Sequence, residues 1–134
     1  LNAFIQRMGF QAYFSSGIWQ TYDIRVDITG FMRLAKESHL VFVECKLSSI
    51  SLMHVSQLLG YSRVANPLYS YLLSAHRIGG TLRSLIATYG RSDILQYDWP
   101  KGEQPRSLVL AEWRAQDKTI DLSTILPPGA KGAV

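Results

Sequence analysis

Hydrophobic residues recur along the chain with two periods, one typical of helices and one typical of strands. Apolar residues three and four positions apart predict helices over 1–8 (closed by Gly9), 52–64 (begun by Ser51) and 81–89 (closed by Gly90). Apolar runs and strict alternation predict strands over 10–14, 22–29, 40–46, 68–73, 94–97 and 108–113, with a polar hairpin loop over 31–39. The order α-β-β-β-α-β, followed by α-β-β, indicates an α/β domain around a mixed sheet.

The length and composition limit the classes to which the chain can belong. Its 134 residues suit one domain with a single core, which we place at 1–126, followed by a flexible tail over 127–134. With 47% hydrophobic and 18% charged residues, the chain is too apolar for an intrinsically disordered protein. No apolar run approaches the roughly 18 residues of a membrane-spanning helix, so no membrane partner is expected. Cys45, the only cysteine, cannot form an internal disulfide, which favours a cytoplasmic location.

Basic residues outnumber acidic ones only modestly. The net charge of +4 permits a nucleic-acid partner without requiring one. Dispersed arginines can contact phosphates or can simply form a solvated face, and four of them are candidates: Arg63, Arg77, Arg83 and Arg91. The spacing of the histidines is not that of metal ligands, which leaves surface or core positions for His39, His54 and His76. Charge alone therefore does not identify a function.

The segment Glu44-Cys45-Lys46 is the sharpest chemical feature, because it ends a strand that is otherwise apolar. Glu44 and Lys46 lie two positions apart, so both side chains leave the same face of the sheet. Burying these charges costs several kcal/mol unless they pair or bind something. An ordinary salt bridge between them is one interpretation, and a ligand site is the other. Cys45 faces the opposite side of the strand, which predicts a core residue rather than a nucleophile.

Asp27 makes the second interpretation more specific. It lies on the polar face of the predicted strand 22–29, so a hairpin with strand 40–46 would place Asp27 beside Glu44. Two carboxylates and the backbone carbonyl of Cys45 form an oxygen site suited to Mg²⁺ or Mn²⁺. Lys46 can then orient an attacking water and stabilise charge that develops on a phosphate. Phosphodiester hydrolysis needs both an activated water and positive charge at phosphorus.

The next predicted helix adds polar residues at helical spacing. Gln57 and Tyr61 are four apart and share one helix face, with His54 one turn earlier. An aspartate, then E-x-K on a strand, then Q-x-x-x-Y on a helix resembles the PD-(D/E)XK nuclease superfamily. The branch most similar contains the RecB nuclease domain and the archaeal Holliday-junction resolvases. The resemblance covers about half the chain and rests on Val26-Asp27-Ile28, Val43-Glu44-Cys45-Lys46 and Gln57-Leu58-Leu59-Gly60-Tyr61.

This resemblance implies a restriction-endonuclease-like αβββαβ core, with a mixed central sheet flanked by helices, and a metal-dependent deoxyribonuclease activity. It makes Asp27 and Glu44 metal ligands together with the Cys45 carbonyl, and it makes Lys46 the catalytic lysine. Gln57 and Tyr61 would position the site or contact the DNA strand. The cofactor would be Mg²⁺ or Mn²⁺, and the partner DNA. Further nucleic-acid contacts are expected from Arg63, Arg77 and His54. A homodimer is compatible with this activity, because cutting both strands needs two sites.

Two other interpretations stay open. Many members of the superfamily carry another acid on the first helix, and residues 1–9 contain none. A nuclease-like module that binds nucleic acid or protein without cutting is therefore an alternative, although the intact Asp27, Glu44 and Lys46 favour an enzyme. The third interpretation is a structural α/β domain in which the motifs coincide by chance. Metal-dependent cleavage of DNA would separate the first interpretation from both others.

Overall fold

A mixed β-sheet organises the structure, which is a computed structural model describing residues 1–14, 17–34, 37–97 and 105–130. Within these residues the strands are β1 (Ile28–Leu34), β2 (Glu37–Lys46), β3 (Tyr69–Ser74), β4 (Val109–Arg114) and β5 (Thr119–Leu126). They lie side by side in chain order. The outer pairs, β1 with β2 and β4 with β5, are antiparallel, whereas β2, β3 and β4 run parallel. The predicted α/β class with a mixed sheet is confirmed.

Helices connect the parallel strands, as such crossovers require. The helices are α1 (Asn2–Met8), α2 (Leu52–Ala65) and the single turn α3 (Gly80–Arg83), which continues as a π-helical turn over 84–88. The helices predicted at 1–8 and 52–64 are confirmed. Gly9 ends α1 in the left-handed conformation at φ 68°, as its predicted capping role requires. The helix predicted over 81–89 is shorter in α form because the π-helical turn takes its second half.

Several predicted strand boundaries were wrong. Residues 10–13 form a 3₁₀ helix rather than a strand, and so do residues 92–95. Aromatic packing overrides the strand propensity of the first segment, since the Phe10 ring lies 4.5 Å from the Phe31 ring. The strand β5 was not predicted, because polar residues interrupt its apolar positions. The predicted order α-β-β-β-α-β was therefore wrong, because the described residues contain two strands rather than three between α1 and α2; the hairpin, α2 and β3 follow one another as predicted.

The first hairpin also differs from its prediction in its boundaries. β1 begins at Ile28, and residues 22–26 have no sheet partner. Tyr22 and Ile24 are nevertheless buried between exposed neighbours, so the predicted alternation reports one buried face without a strand ladder. The predicted loop over 31–39 is wrong, because the strands continue to Leu34 and resume at Glu37. Residues 35–36 between them lie outside the described residues.

The two faces of the sheet are packed differently. On the first face, Phe42 and Leu72 join Ile5 of α1 and Val55 and Leu58 of α2 in the main core. The buried cluster on the second face consists of strand residues, and no helix residue belongs to it within the described part of the chain: Leu73, Val109, Ala111 and Ile125. No described helix is long and apolar enough to cross a membrane. The predicted tail over 127–134 stays a prediction, and its residues 131–134 lie outside the described ranges.

Candidate metal and phosphate site

Two carboxylates meet where β1 begins and β2 ends. The hairpin register pairs Ile28 with Val43, so Asp27 lies beside Glu44, as the sequence predicts. The Asp27 backbone N–H donates to Glu44 Oε2 at 3.2 Å, and the Cys45 backbone N–H donates to Asp27 Oδ2 at 2.7 Å. Each acid therefore accepts a backbone hydrogen bond from the other strand. This reciprocal pair holds both carboxylates in place.

Lys46 joins this pair to helix α2. Its Nζ donates to Glu44 Oε1 at 2.6 Å and to Gln57 Oε1 at 3.4 Å. Gln57 lies in the second turn of α2, which crosses back over the first face of the sheet. One chain of contacts thus links Asp27, Glu44, Lys46 and Gln57. We call these four residues the acid–lysine site.

One of the two carboxylates of this site is buried and the other is not. Glu44 is only 5% exposed, whereas Asp27 is solvent-exposed. A buried carboxylate is costly unless it is compensated, and Lys46 together with the Asp27 N–H compensates Glu44. The ion pair expected from a structural salt bridge is therefore present. It is joined, in addition, to a second acid that faces solvent, which a salt bridge alone does not require.

The thiol between Glu44 and Lys46 is not a strong nucleophile. Partial desolvation of the thiol by the surrounding protein raises the pKa of Cys45, and the negative charges of Asp27 and Glu44 raise this pKa further, against an opposing effect of Lys46. The prediction that Cys45 points away from the two charged side chains agrees with the strand geometry. The prediction that it belongs to the core was wrong, because Cys45 is exposed. No described helix covers the second face at this point.

Local sequence fixes the start of α2 and hence the position of Gln57. Ser51 is the N-cap, and His54 at the third helical position accepts a hydrogen bond from the Ser51 N–H through Nδ1 at 3.2 Å. Val55 and Leu58 anchor the helix on the main core. With that face buried, Gln57 is exposed at the side of α2 that meets Lys46.

The loops that follow β2 and β3 are joined beside the site. Ile50 and Ile78 form a parallel bridge, with the Ile50 N–H donating to the Arg77 carbonyl at 3.1 Å. The Gly79 N–H donates to the Ile50 carbonyl at 2.9 Å. A Cβ at position 79 would lie 2.8 Å from that carbonyl oxygen, so the close approach requires glycine. These two loops form one rim.

Other residues predicted for the site lie around it. Tyr61, one turn beyond Gln57, is half-buried against the main core, and within the described residues it makes no hydrogen bond to the acids or Lys46. His54 serves the helix cap instead of facing a ligand. Arg63 is exposed on α2, and Arg77 is exposed in the rim. Their predicted contacts to nucleic acid stay predictions.

Arg25 was not predicted as a site residue. Together with Asp27 it lines an open cavity of about 480 Å³. The signal was present in the sequence, because the alternation over 23–27 places Arg25 on the same side as Asp27. Both side chains are exposed, and an exposed guanidinium can contact a phosphate.

The donor atoms fit a hard divalent cation. Asp27 is exposed, and its Oδ1 accepts no hydrogen bond from the described residues. Mg²⁺ is commonly held by one or two carboxylates while it keeps several waters, and the two acids with the Cys45 carbonyl meet that requirement. The described residues contain no group of three or more His, Cys, Asp or Glu side chains arranged to hold a metal ion. The side-chain donors that the structure brings together here are two carboxylates.

Three comparisons with known proteins gave no relatives. No protein-family model, no curated protein and no solved structure matches this chain.

Proposed function

We propose that this chain is a metal-dependent nuclease that hydrolyses DNA phosphodiester bonds, with a restriction-endonuclease-like core. The observation that carries the proposal is the acid–lysine site, in which a buried glutamate, a solvent-facing aspartate and a lysine meet within hydrogen-bonding distance. The β1–β2 hairpin, the α2 crossover and the parallel β3 support the β-β-α-β part of that core, whose first strand is absent from the described elements. The excess of basic over acidic residues is compatible with DNA.

The residues that would hold a cation are Asp27, Glu44 and the carbonyl of Cys45. A bound Mg²⁺ or Mn²⁺ supplies Lewis-acid stabilisation of phosphate charge and activates water. Glu44 would be a fixed ligand, because burial and two hydrogen bonds restrict the movement of its side chain. Asp27 is exposed to solvent, so its carboxylate is suited to hold the cation on the side from which the phosphate of the DNA approaches.

The remaining side chains act on the phosphate and the attacking water. The Lys46 ammonium, held by Glu44 and Gln57, orients the water for in-line attack and stabilises negative charge that develops at phosphorus. Gln57 is a positioning residue, since it acts through Lys46. Arg25 offers a second positive charge along the cavity beside Asp27. The oxygen of the attacking water forms the new bond to phosphorus and its proton passes to solvent, while the bond from phosphorus to the leaving oxygen breaks and that oxygen takes a proton from solvent.

Cleavage of DNA by the purified chain tests this proposal directly. Supercoiled plasmid, linear duplex and single-stranded oligonucleotides are incubated with Mg²⁺ or Mn²⁺ and, separately, with EDTA. We expect metal-dependent cleavage that Asp27→Asn, Glu44→Gln and Lys46→Met abolish. Asp23→Asn is the matched control, because Asp23 is an exposed acid nearby that lies outside the site. Cleavage that persists in folded Asp27→Asn or Glu44→Gln protein would refute the proposed site.

The second candidate function is binding of nucleic acid without cleavage. One observation favours it: α1 contains no acidic residue that could complete the carboxylate set. Such a module would bind DNA in a salt-sensitive manner and leave every substrate uncut in Mg²⁺ and in Mn²⁺. Isothermal titration with Mn²⁺ separates the two candidates further, since only the enzyme needs Asp27 and Glu44 for metal binding.

A further inference from the structure

An open cavity of about 480 Å³ adjoins the acid–lysine site on one side. It is lined by Leu1 and Phe4 and by the run 24–29, which leads into β1. Among the described residues, Asp27 is the one member of the acid–lysine site that also lines this cavity. We call it the Arg25 cavity, because Arg25 is the basic side chain in its lining. A ligand held at Asp27 can therefore extend into it.

Arg25 is an exposed cation that has no acidic partner within the described part of the chain. Arg83 differs in this respect, because it forms an ion pair with Glu112. Asp27 lies only two positions from Arg25, yet its Oδ2 accepts the hydrogen bond of the Cys45 N–H, and no ion pair joins it to Arg25. The guanidinium is therefore available to an anion from outside the chain.

The distance between Arg25 and Asp27 is short enough for one step of a DNA strand. Two residues of fully extended chain span at most about 7 Å. Successive phosphates of one strand lie about 3.4 Å apart along the axis of a duplex, and they lie further apart where the strand is unstacked. The long side chain of Arg25 covers the difference between these spacings. A strand with one phosphate at Asp27 thus places its neighbouring phosphate within reach of Arg25.

We propose that Arg25 binds the DNA phosphate next to the one held at the acid–lysine site, within the Arg25 cavity. This inference rests on the proposed function, to which it adds a substrate requirement. Arginine suits this role, because its guanidinium donates two parallel hydrogen bonds to a phosphate and keeps its charge at any working pH. The substrate class is accordingly a DNA strand with two consecutive charged phosphates.

Arg25 and Lys46 act on different phosphates in this proposal. Lys46 contacts Glu44 and Gln57, on the side of α2. The Arg25 cavity is lined instead by α1 and by the segment that leads into β1. Lys46 is therefore suited to the cleaved phosphate, and Arg25 to its neighbour, where no bond changes. Loss of a contact that is equally strong in the ground state and the transition state raises KM and leaves kcat unchanged.

The test uses short single strands in which most linkages are uncharged methylphosphonates. One probe keeps two adjacent phosphodiesters, and the other keeps two phosphodiesters several linkages apart, so that both carry the same charge. We expect the wild-type chain in Mg²⁺ to cut the adjacent pair with about tenfold lower KM, the size of one hydrogen bond to a charged group. Arg25→Ala should remove this preference at unchanged kcat, and Arg25→Lys should retain part of it.

Affinity in EDTA gives a second reading that does not require cleavage. Each phosphate of a single strand that the protein neutralises contributes about 0.7 to the slope of log affinity against log salt concentration. Arg25→Ala should reduce the slope by about this amount, measured by anisotropy with an unmodified fluorescent oligonucleotide. The matched control is Arg33→Ala, at an exposed arginine of β1 outside the cavity, which should keep both the slope and the preference. Circular dichroism verifies that the variants fold, as the exposure of both arginines predicts.

The outcomes separate this inference from the function on which it rests. Equal KM for the two probes, or a preference and a salt slope that persist in Arg25→Ala, overturns the Arg25 inference and leaves the nuclease proposal standing if DNA is cut in Mg²⁺. A lower kcat at unchanged KM in Arg25→Ala assigns Arg25 to the cleaved phosphate and overturns the inference as well. Strands that stay uncut, with a salt slope that depends on Arg25, refute the nuclease proposal and support the Arg25 contact. Failure both to bind and to cut DNA overturns both.

Discussion

Two ion pairs lie on the same face of the sheet, two strands apart. Lys46 of β2 is in register with Ser74 of β3, and Ser74 is in register with Glu112 of β4. Glu44 pairs with Lys46 at 2.6 Å, and Glu112 pairs with Arg83 at 3.0 Å. Each pair joins a glutamate of a largely apolar strand to a basic side chain.

The two ion pairs differ in the groups that surround them. Glu112 accepts hydrogen bonds from Arg83 of α3 and from the Ile78 N–H, so it ties β4 to the crossover before it. Glu44 pairs within its own strand, which leaves its other oxygen to the N–H of a second acid. The difference is that the Glu112 pair joins separate elements, whereas the Glu44 pair adjoins a second, exposed acid, and this is why we propose chemistry for the Glu44 pair.

Cleavage should show the largest difference between the two pairs. Glu44→Gln and Lys46→Met each remove a group that acts on the phosphate or its cation, so the cleavage rate should fall at least about a hundredfold. Glu112→Gln should leave the rate near that of the wild type. Initial rates on supercoiled plasmid in Mg²⁺, measured well below the melting temperature of each variant, check this. A comparable loss in Glu112→Gln would show that the comparison is wrong.

Stability should separate the pairs in a second way. Lys46→Met leaves the carboxylate of Glu44 buried without its cation, which typically costs about 3–5 kcal/mol of unfolding free energy. Arg83→Met should cost about 1 kcal/mol or less, because both partners are partly exposed and solvent screens the pair. Urea unfolding monitored by circular dichroism measures both values. Equal losses would mean that the Glu44 environment is wetter than its burial indicates.

Gln57 tests whether the site extends to α2. Gln57→Ala removes the 3.4 Å contact with Lys46, and we expect a cleavage rate lower by about tenfold, the size of one hydrogen bond to a charged group. The melting temperature should change little, because Gln57 is exposed. Ser56→Ala, at an exposed neighbouring position of the same helix, is the control. A drop in stability without a drop in rate would make Gln57 a structural residue.

The smallest expected effect concerns the thiol of Cys45. Because its pKa is raised, less thiolate is present at a given pH, and alkylation near neutral pH should be slow until the pH rises toward that pKa. Asp27→Asn removes one of the negative charges that raise the pKa, so alkylation should become faster by a few-fold at the same pH. The pH profile of iodoacetamide labelling measures both. An unchanged profile in Asp27→Asn would place the carboxylate farther from the thiol than the structure does.

The sequence was sufficient to predict which residues lie at the centre of the acid–lysine site. Asp27 and Glu44 were expected side by side from a hairpin whose predicted first strand was wrong for residues 22–26. The predicted proximity of the two acids is nevertheless confirmed, because it depends only on how the end of the hairpin pairs. The pairing of β1 with β2 begins at Ile28 opposite Val43. The helical spacing that carries Gln57 was also sufficient, since Val55 and Leu58 at that spacing are buried and anchor α2 on the main core.

What could not be predicted depends on contacts between distant parts of the chain. Whether a sheet face is covered is decided by elements far away in sequence, so the exposure of Cys45 was missed. The aromatic run at 10–14 joins Phe31 in a cluster that no local propensity reports. Arg25 was overlooked for a different reason: its alternation with Asp27 was visible, but a single arginine carries no signal until a cavity shows what it faces.

The bridge between Ile50 and Ile78 has a consequence for motion. The loops after β2 and β3 exchange backbone hydrogen bonds across a contact so close that a side chain at Gly79 would not fit. Neither loop can swing outward as an independent flap without breaking both bonds, so fluctuations at this edge are cooperative. In native-state hydrogen exchange the amides of Ile50 and Gly79 should share one opening free energy. A substrate would accordingly meet a pre-organised edge, and the slow step of loop closure that gates many enzymes would be absent here.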